Sequence, residues 1–338
     1  MESLAVKYRP KEWEHVVEQS AVVEVLKKQI ELDKIRNCYL FCGATGSGKT
    51  TLSRLFANKI NNNQGSPIEL DAASNNGVDN VRQIIKAAQE RSLDSKYKVY
   101  IIDEAHALSN SAWQAFLKCI EEPPEFTIFI FCTTDPQKIP ATILNRVQRF
   151  NISRISTKGI HDRLQYVCIQ ENFINYNESI DYIAKLADGC MRDALTLLDK
   201  CSTFSTNLNI NNVLKCIGTF SYDTFFNLIN SMIDGDEKSI LSILNDYYES
   251  GMDMKLFLNQ FIDFVIDVAK YCIFKNCDII RIPKTFEDIL VKTIAIEGAN
   301  KYFQYVMNKL LDLKNMIKND TSIRSTIEIM FIQIARCN

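Results

Sequence analysis

The stretch Gly43-Ala44-Thr45-Gly46-Ser47-Gly48-Lys49-Thr50 constrains this chain more than any other. It has the form G-x-x-x-x-G-K-[ST] and lies between a short apolar run at residues 38–42 and a helical pattern over residues 51–60. Glycines at this spacing let successive backbone N–H groups curl around a phosphate, and the following helix adds the partial positive charge of its N-terminus. Lys49 then reaches the β- and γ-phosphates of a nucleoside triphosphate, and the Thr50 hydroxyl is placed to ligate Mg2+. Strand, phosphate loop and helix in that order point to an α/β nucleotide-binding fold.

Two more apolar runs support a sheet. Val99-Tyr100-Ile101-Ile102 ends in Asp103-Glu104, and residues 127–132 end in Thr133-Thr134. Helical patterns over residues 81–91 and 111–122 separate the runs. Continuous apolar strands alternating with helices imply a parallel sheet covered on both faces. An acidic pair closing a strand is, alone, as easily a solvated strand end. With the phosphate loop upstream it reads as a Walker B strand, in which Asp103 holds Mg2+ through water and Glu104 orients or deprotonates the attacking water. Thr134 is expected between the γ-phosphate and that carboxylate, polarising the water; a threonine pair merely opening the turn at Asp135-Pro136 is the alternative.

Strand patterns cease after Phe150. Residues 158–205 read as three short helices, one over about residues 191–200, and from residue 207 onward the pattern is helical only. Phe257, Phe261, Phe264, Val265, Val268 and Cys272 form one apolar stripe at helical spacing. Earlier helices are expected to stop at Asp234-Gly235 and Ser250-Gly251. The expected organisation is an ATP-binding domain over residues 1–152, a small helical domain over 153–206 and an all-α domain over 207–338.

Composition removes several classes. The formal net charge of −2 leaves no global basic field, so any DNA contact must come from a local patch or an assembled oligomer. No apolar run approaches the roughly 20 residues that span a bilayer, and the N-terminus lacks the apolar core of a secretory signal, so a cytoplasmic protein with no membrane partner is expected. The 11 cysteines are scattered, and no close pair lies near a second pair or a histidine. No zinc is expected, and Cys38, Cys119 and Cys132 read as small buried hydrophobes in a reducing compartment.

Several segments together resemble the gamma/tau family of bacterial DNA polymerase III, the DnaX-type AAA+ clamp-loader ATPases, and more distantly the small subunits of replication factor C. The matching segments are Lys7-Tyr8-Arg9-Pro10, Val16-Val17 with Gln19, the phosphate loop, residues 69–74 (ELDAAS), 98–109 (KVYIIDEAHALS), 117–124 (LKCIEEPP), 133–140 (TTDPQKIP), 143–146 (ILNR) and 189–195 (GCMRDAL). The likeness is dense over residues 4–200. It implies a AAA+ domain followed by a helical lid and an all-α collar. It also implies that Tyr8, Arg9, Pro10, Val16 and Val17 line the adenine pocket, with Gly43, Ala44, Thr45, Gly46, Ser47, Gly48, Lys49, Thr50 and Thr51 around the phosphates. Thr134 corresponds to sensor 1, Arg192 to the sensor 2 arginine and Arg146 to a finger that enters a neighbouring subunit's ATP site. The implied cofactors are ATP and Mg2+. The implied partners are delta- and delta-prime-type subunits in a pentameric ring, the sliding clamp and primer–template DNA.

The chain also departs from the family pattern. The four-cysteine zinc module after the P-loop helix is replaced by residues 61–68 alone. The S-R-C motif reads Asn145-Arg146-Val147. Where basic residues often follow Ser74, this chain has Asn75 and Asn76, so DNA contact would rest on them, on helix N-terminal amides and on Arg82. The sequence ends at Asn338, so the short form without the tau extension is expected. A DEAH-type helicase would need a second RecA-like domain, and the helical pattern after residue 150 argues against it. A AAA+ subunit that binds ATP without turnover and a branch-migration motor remain as alternatives.

Overall fold

The structure is a computed structural model that describes residues 2–218, 221–251, 253–317 and 322–336. The chain divides into two compact units, residues 1–167 with 187–199, and residues 168–186 with 200–338.

The first unit is built on a five-stranded parallel sheet. Its elements in order are α1 (Leu4–Lys7), α2 (Ser20–Glu31), β1 (Cys38–Gly43), α3 (Lys49–Ile60), β2 (Ile68–Asp71), α4 (Val78–Ala88), β3 (Lys98–Asp103), α5 (Asn110–Glu121), β4 (Thr127–Thr133), α6 (Ala141–Leu144), β5 (Gln148–Ile152), α7 (Thr157–Gln170), and, after α8 (Asn177–Leu186) of the other unit, the first turns of α9 (Met191–Phe204). The strand order is β2-β3-β4-β1-β5, and every pairing is parallel.

Each central strand sends alternate side chains to opposite faces, and both faces are buried. Leu40, Tyr100, Ile102, Phe129 and Phe131 join Val81, Trp113 and Phe116 of α4 and α5 on one side. Tyr39, Phe41, Ile101, Ile128, Ile130 and Cys132 join Leu26 of α2 and Leu52 and Phe56 of α3 on the other. This two-sided burial makes β1, β3 and β4 continuous apolar runs.

The sequence pattern showed three strands; the sheet has five. β2 reads Ile-Glu-Leu-Asp and β5 reads Gln-Arg-Phe-Asn-Ile, and both lie at sheet edges where alternate side chains reach water. Polar residues at those positions hide a strand from a hydrophobicity reading. The strand pattern therefore runs to Ile152. Helix α4 also differs, covering Val78–Ala88 where residues 81–91 were expected. Its terminal carbonyls are taken by the sheet: Lys98 Nζ donates to Ala87 O at 2.7 Å and Thr127 Oγ1 to Ala88 O at 2.8 Å, which ends the helix there.

Among its described residues, the second unit is helical apart from an isolated bridge between Ile174 and Asn207. It holds α8, the end of α9, α10 (Ile210–Ile217), α11 (Tyr222–Ile233), α12 (Glu237–Glu249), α13 (Met254–Phe274), α14 (Glu287–Thr293), α15 (Ala299–Met316) and α16 (Ile323–Ala335). The expected stripe on α13 is buried throughout. Phe261 packs edge-on against Phe225 with centroids 5.6 Å apart and lies 5.3 Å from Phe331. Helices α11 and α12 end at Ile233 and Glu249, at the expected stops. Among the described residues, no helix is long and apolar enough to cross a membrane.

Candidate nucleotide-binding site

The loop from β1 to α3 carries the phosphate-binding sequence. Gly48, with φ of 102°, is the N-cap of α3, so the helix begins at Lys49 and presents its first N–H groups to the loop. Gly46 has φ of 67°, and a Cβ built there would stand 1.9 Å from Cys190 Sγ. Position 46 therefore demands glycine twice, for its backbone and for the thiol packed against it. Burial pushes the Cys190 thiol pKa up, keeping it a neutral packing group.

Lys49 is 6% exposed, and its Nζ donates to Gly43 O and Ala44 O, each at 3.0 Å. A nearly buried ammonium facing neutral carbonyls gains most from an anion at the loop. Thr50 Oγ1 donates to Asp103 Oδ2 at 2.7 Å, joining the first turn of α3 to the end of β3. A hydroxyl and a carboxylate converging beside a phosphate loop form the hard oxygen donor set that Mg2+ prefers, with substrate oxygens and water completing its shell. The residues present thus fit a Mg2+–triphosphate.

A cavity of about 470 Å3 opens on this cradle, within the size range of small-ligand sites. Its lining includes Gly46, Ser47, Gly48, Lys49, Thr50, Thr51 and Asp103, Tyr8, Arg9, Pro10, Val16 and Val17 from the N-terminal segment, and Arg192 from α9. The structure therefore gathers the N-terminal residues expected at the adenine pocket, the phosphate loop and the α9 arginine around one space, although they are far apart in sequence. Gly43, Ala44 and Thr45 are not among the lining residues; Gly43 and Ala44 act through the carbonyls that hold Lys49.

The N-terminal side of the cavity is fixed by contacts that sequence pattern did not signal. Arg163 of α7 donates to Tyr8 O at 2.8 Å and also lines the cavity. Burial lowers the Arg163 pKa, while its guanidinium lies 5.0 Å over the Tyr166 ring. Glu18 and Gln19 both take positive φ, 58° and 56°. This turn lets Gln19 bracket Ser153, donating to its O at 2.8 Å and accepting its N–H at 3.1 Å. Nothing local in the sequence marks Arg163, which is 155 positions from Tyr8.

The Walker B carboxylates sit in contrasting backbones. Asp103 closes β3, and its Oδ1 accepts the Glu104 N–H at 3.0 Å. Glu104 is left-handed, with φ 48° and ψ 42°, where the chain turns sharply into the short 3₁₀ segment Ala105–Ala107. A non-glycine residue held there costs on the order of 1–3 kcal/mol and is a feature of functional sites. Thr134 Oγ1 donates to Glu104 Oε2 at 3.2 Å, bringing together the two residues expected to act on one water.

The remaining expected residues stand apart from this cavity. Arg146 is not among the lining residues; it pairs with Glu121 at 2.7 Å and donates to Thr142 O at 2.7 Å on a partly exposed surface. Asn75 donates its side chain to Asp71 O at 3.1 Å, and Asn76 O accepts the Ser109 N–H at 3.2 Å. Arg82 is exposed and pairs with Asp79 at 3.2 Å.

Comparison with known proteins adds independent findings. Family models match successive segments: DNA polymerase III, delta subunit, over residues 68–156; DNA polymerase III clamp loader subunit, ATPase lid domain, over 159–207; and DNA polymerase III subunits gamma and tau domain III, over 208–335. The DNA polymerase III subunit gamma/tau of Mycoplasma genitalium is 31% identical over 320 residues, covering 88% of this chain and 53% of that protein. The tau subunit of Bacillus subtilis is 36% identical over 286 residues, covering 78% and 51%. The chain thus spans about half the length of these relatives. The gamma subunit of Buchnera aphidicola from Acyrthosiphon pisum is 31% identical over 288 residues, covering 79% of this chain and 80% of that one. Among solved structures, the Thermotoga maritima RuvB Holliday junction branch migration motor superposes with a TM-score of 0.52 at 18% identity, over 67% of this chain and 79% of that one. At that identity the likeness is one of fold, and it agrees with the parallel sheet. Sequence relatives and successive family models converge, and the chain belongs to the DNA polymerase III gamma/tau family.

Proposed function

We propose that this chain is an ATPase subunit of a DNA polymerase sliding-clamp loader, with residues 1–152 as ATP-binding domain, 153–206 as lid and 207–338 as collar. The observation that carries the reading is the buried Lys49 ammonium on loop carbonyls, beside the Thr50–Asp103 pair and lining one cavity with Arg192. Family membership supports the partners: delta- and delta-prime-type subunits in a pentameric ring, the clamp and primed DNA, in the cytoplasm.

In this mechanism Lys49 leaves the carbonyls of Gly43 and Ala44 for phosphate oxygens, and the amides at the start of α3 hold the β-phosphate. Thr50 and Asp103 would hold Mg2+, which would supply neutralisation of charge developing on the phosphates. Arg192 offers its guanidinium from the lid side. Thr134 and Glu104 orient the water for in-line attack, and Glu104 accepts its proton. Arg146 is left for a neighbouring subunit's site, consistent with its surface location. The half-buried Asn75 and the exposed Asn76 and Arg82 are assigned to the DNA backbone. Nucleotide state shifts the ring between clamp-holding and clamp-releasing arrangements by favouring one of them.

Steady-state ATPase with the assembled ring, clamp and primed DNA tests this. Clamp and DNA together should stimulate turnover more than either alone. ATP binding without such stimulation would instead favour a subunit that holds nucleotide passively.

A further inference from the structure

His106 stands three residues past the Walker B aspartate, on the turn Ala105–Ala107. Its Nδ1 lies 3.2 Å from Thr133 Oγ1 and 3.2 Å from Glu104 Oε2. Thr133 is fully buried, and its Oγ1 already accepts the Asp135 N–H at 3.0 Å. Thr134, the next residue, donates to the same Glu104 Oε2. The Thr134 hydroxyl and the His106 ring nitrogen therefore meet at the same carboxylate oxygen, Glu104 Oε2.

The hydrogen positions follow from chemistry. If Thr133 donated to Nδ1, that nitrogen would face Glu104 with a lone pair, and two acceptors would oppose each other at 3.2 Å. The carboxylate therefore selects the tautomer with hydrogen on Nδ1, which the ring shares between Oε2 and Thr133. Glu104 needs such an anchor because its left-handed backbone removes it from strand and helix, so no regular packing fixes its rotamer. Thr134 alone is insufficient: its single hydroxyl hydrogen, once directed to a γ-phosphate, is no longer available to Glu104.

The geometry points to His106 as a positioning residue that fixes the Glu104 carboxylate for water activation, through Nδ1 and without touching substrate. The inference rests on reading Glu104 as the group that orients the water. A purely structural alternative exists, in which His106 only ties the turn to β4 through Thr133.

The test uses the full chain assembled with its partner subunits, clamp and primed DNA, measuring kcat, KM and equilibrium ATP affinity. H106A should lower kcat about 10- to 100-fold, as expected for a misplaced catalytic group, with KM and ATP affinity near wild type. H106N, whose amide N–H falls near the Nδ1 position, should recover most of the rate; H106Q, whose amide reaches toward Nε2, should not. Wild-type kcat in H106A, or equal rates in H106N and H106Q, would overturn the assignment. E104Q separates the two levels. A dead E104Q with a normal H106A removes only the role of His106, whereas wild-type turnover in E104Q removes the reading of Glu104 itself.

Discussion

The sheet unit and the helical unit both bury aromatic residues, but they place polar chemistry very differently. In the sheet unit, parallel strands all end on the same side, so β1, β3 and β4 bring the phosphate loop, Asp103 with Glu104, and Thr133 with Thr134 to one edge. Brought there together, the groups lie at the carboxyl ends of an open α/β sheet, the place where such sheets bind ligands. In the helical unit, the buried carboxylate of Asp267 is tied off within the core. Asp267 is 2% exposed, accepts the Arg281 N–H at 2.9 Å and lies 3.3 Å from Lys270 Nζ. One unit gathers charged and hydroxyl groups at the ends of its strands; the other pairs its buried Asp267 within the helical core. The comparison supports the proposal that chemistry belongs to the first unit and packing to the second.

Substitutions can break that division. The largest expected effect is on rate: R146A should leave ATP binding intact but lower DNA-stimulated turnover by about 10³–10⁵ if the arginine completes a neighbour's site. Normal stimulated turnover would remove the trans role. Next is F261A in the helical unit. Phe261 is fully buried among Phe225, Phe257 and Phe331, so truncation should cost about 3–5 kcal/mol in denaturant unfolding of that unit. Nucleotide affinity should not change; a large loss would mean that the helical unit shapes the nucleotide site. The smallest effect belongs to S109A. Ser109 Oγ accepts the Ala112 N–H at 3.2 Å and caps α5, so its loss should cost about 1 kcal/mol in unfolding of the sheet unit.

The same contrast explains what the sequence disclosed. Residues 38–42, 99–102 and 127–132 were legible as strands because both faces are buried, leaving no polar interruption. Ile68–Asp71 and Gln148–Ile152 were not, because an edge strand shows water its alternate side chains. On α13, Phe257 through Cys272 was legible because one helix face meets the core at regular spacing. In the site, Gly43–Thr50, Asp103 and Glu104 carry their chemistry in local order and could be read directly. Tyr8, Pro10, Val17 and Arg192 were reached only through family resemblance, since their shared cavity is created by folding. Neither Arg163 nor His106 was singled out by the sequence. Their roles depend on contacts to Tyr8 O and to Glu104 Oε2 that no local pattern encodes.

The account rests on a triphosphate held by Lys49 with Mg2+ at Thr50 and Asp103. Equilibrium ATP titration of the wild-type chain and of K49A, with and without Mg2+, tests it most directly. Saturable, Mg2+-strengthened binding by wild type should weaken at least about a hundredfold in K49A, roughly 3 kcal/mol. Equal ATP affinity of the two chains, or a wild-type chain that ignores nucleotide, would contradict it.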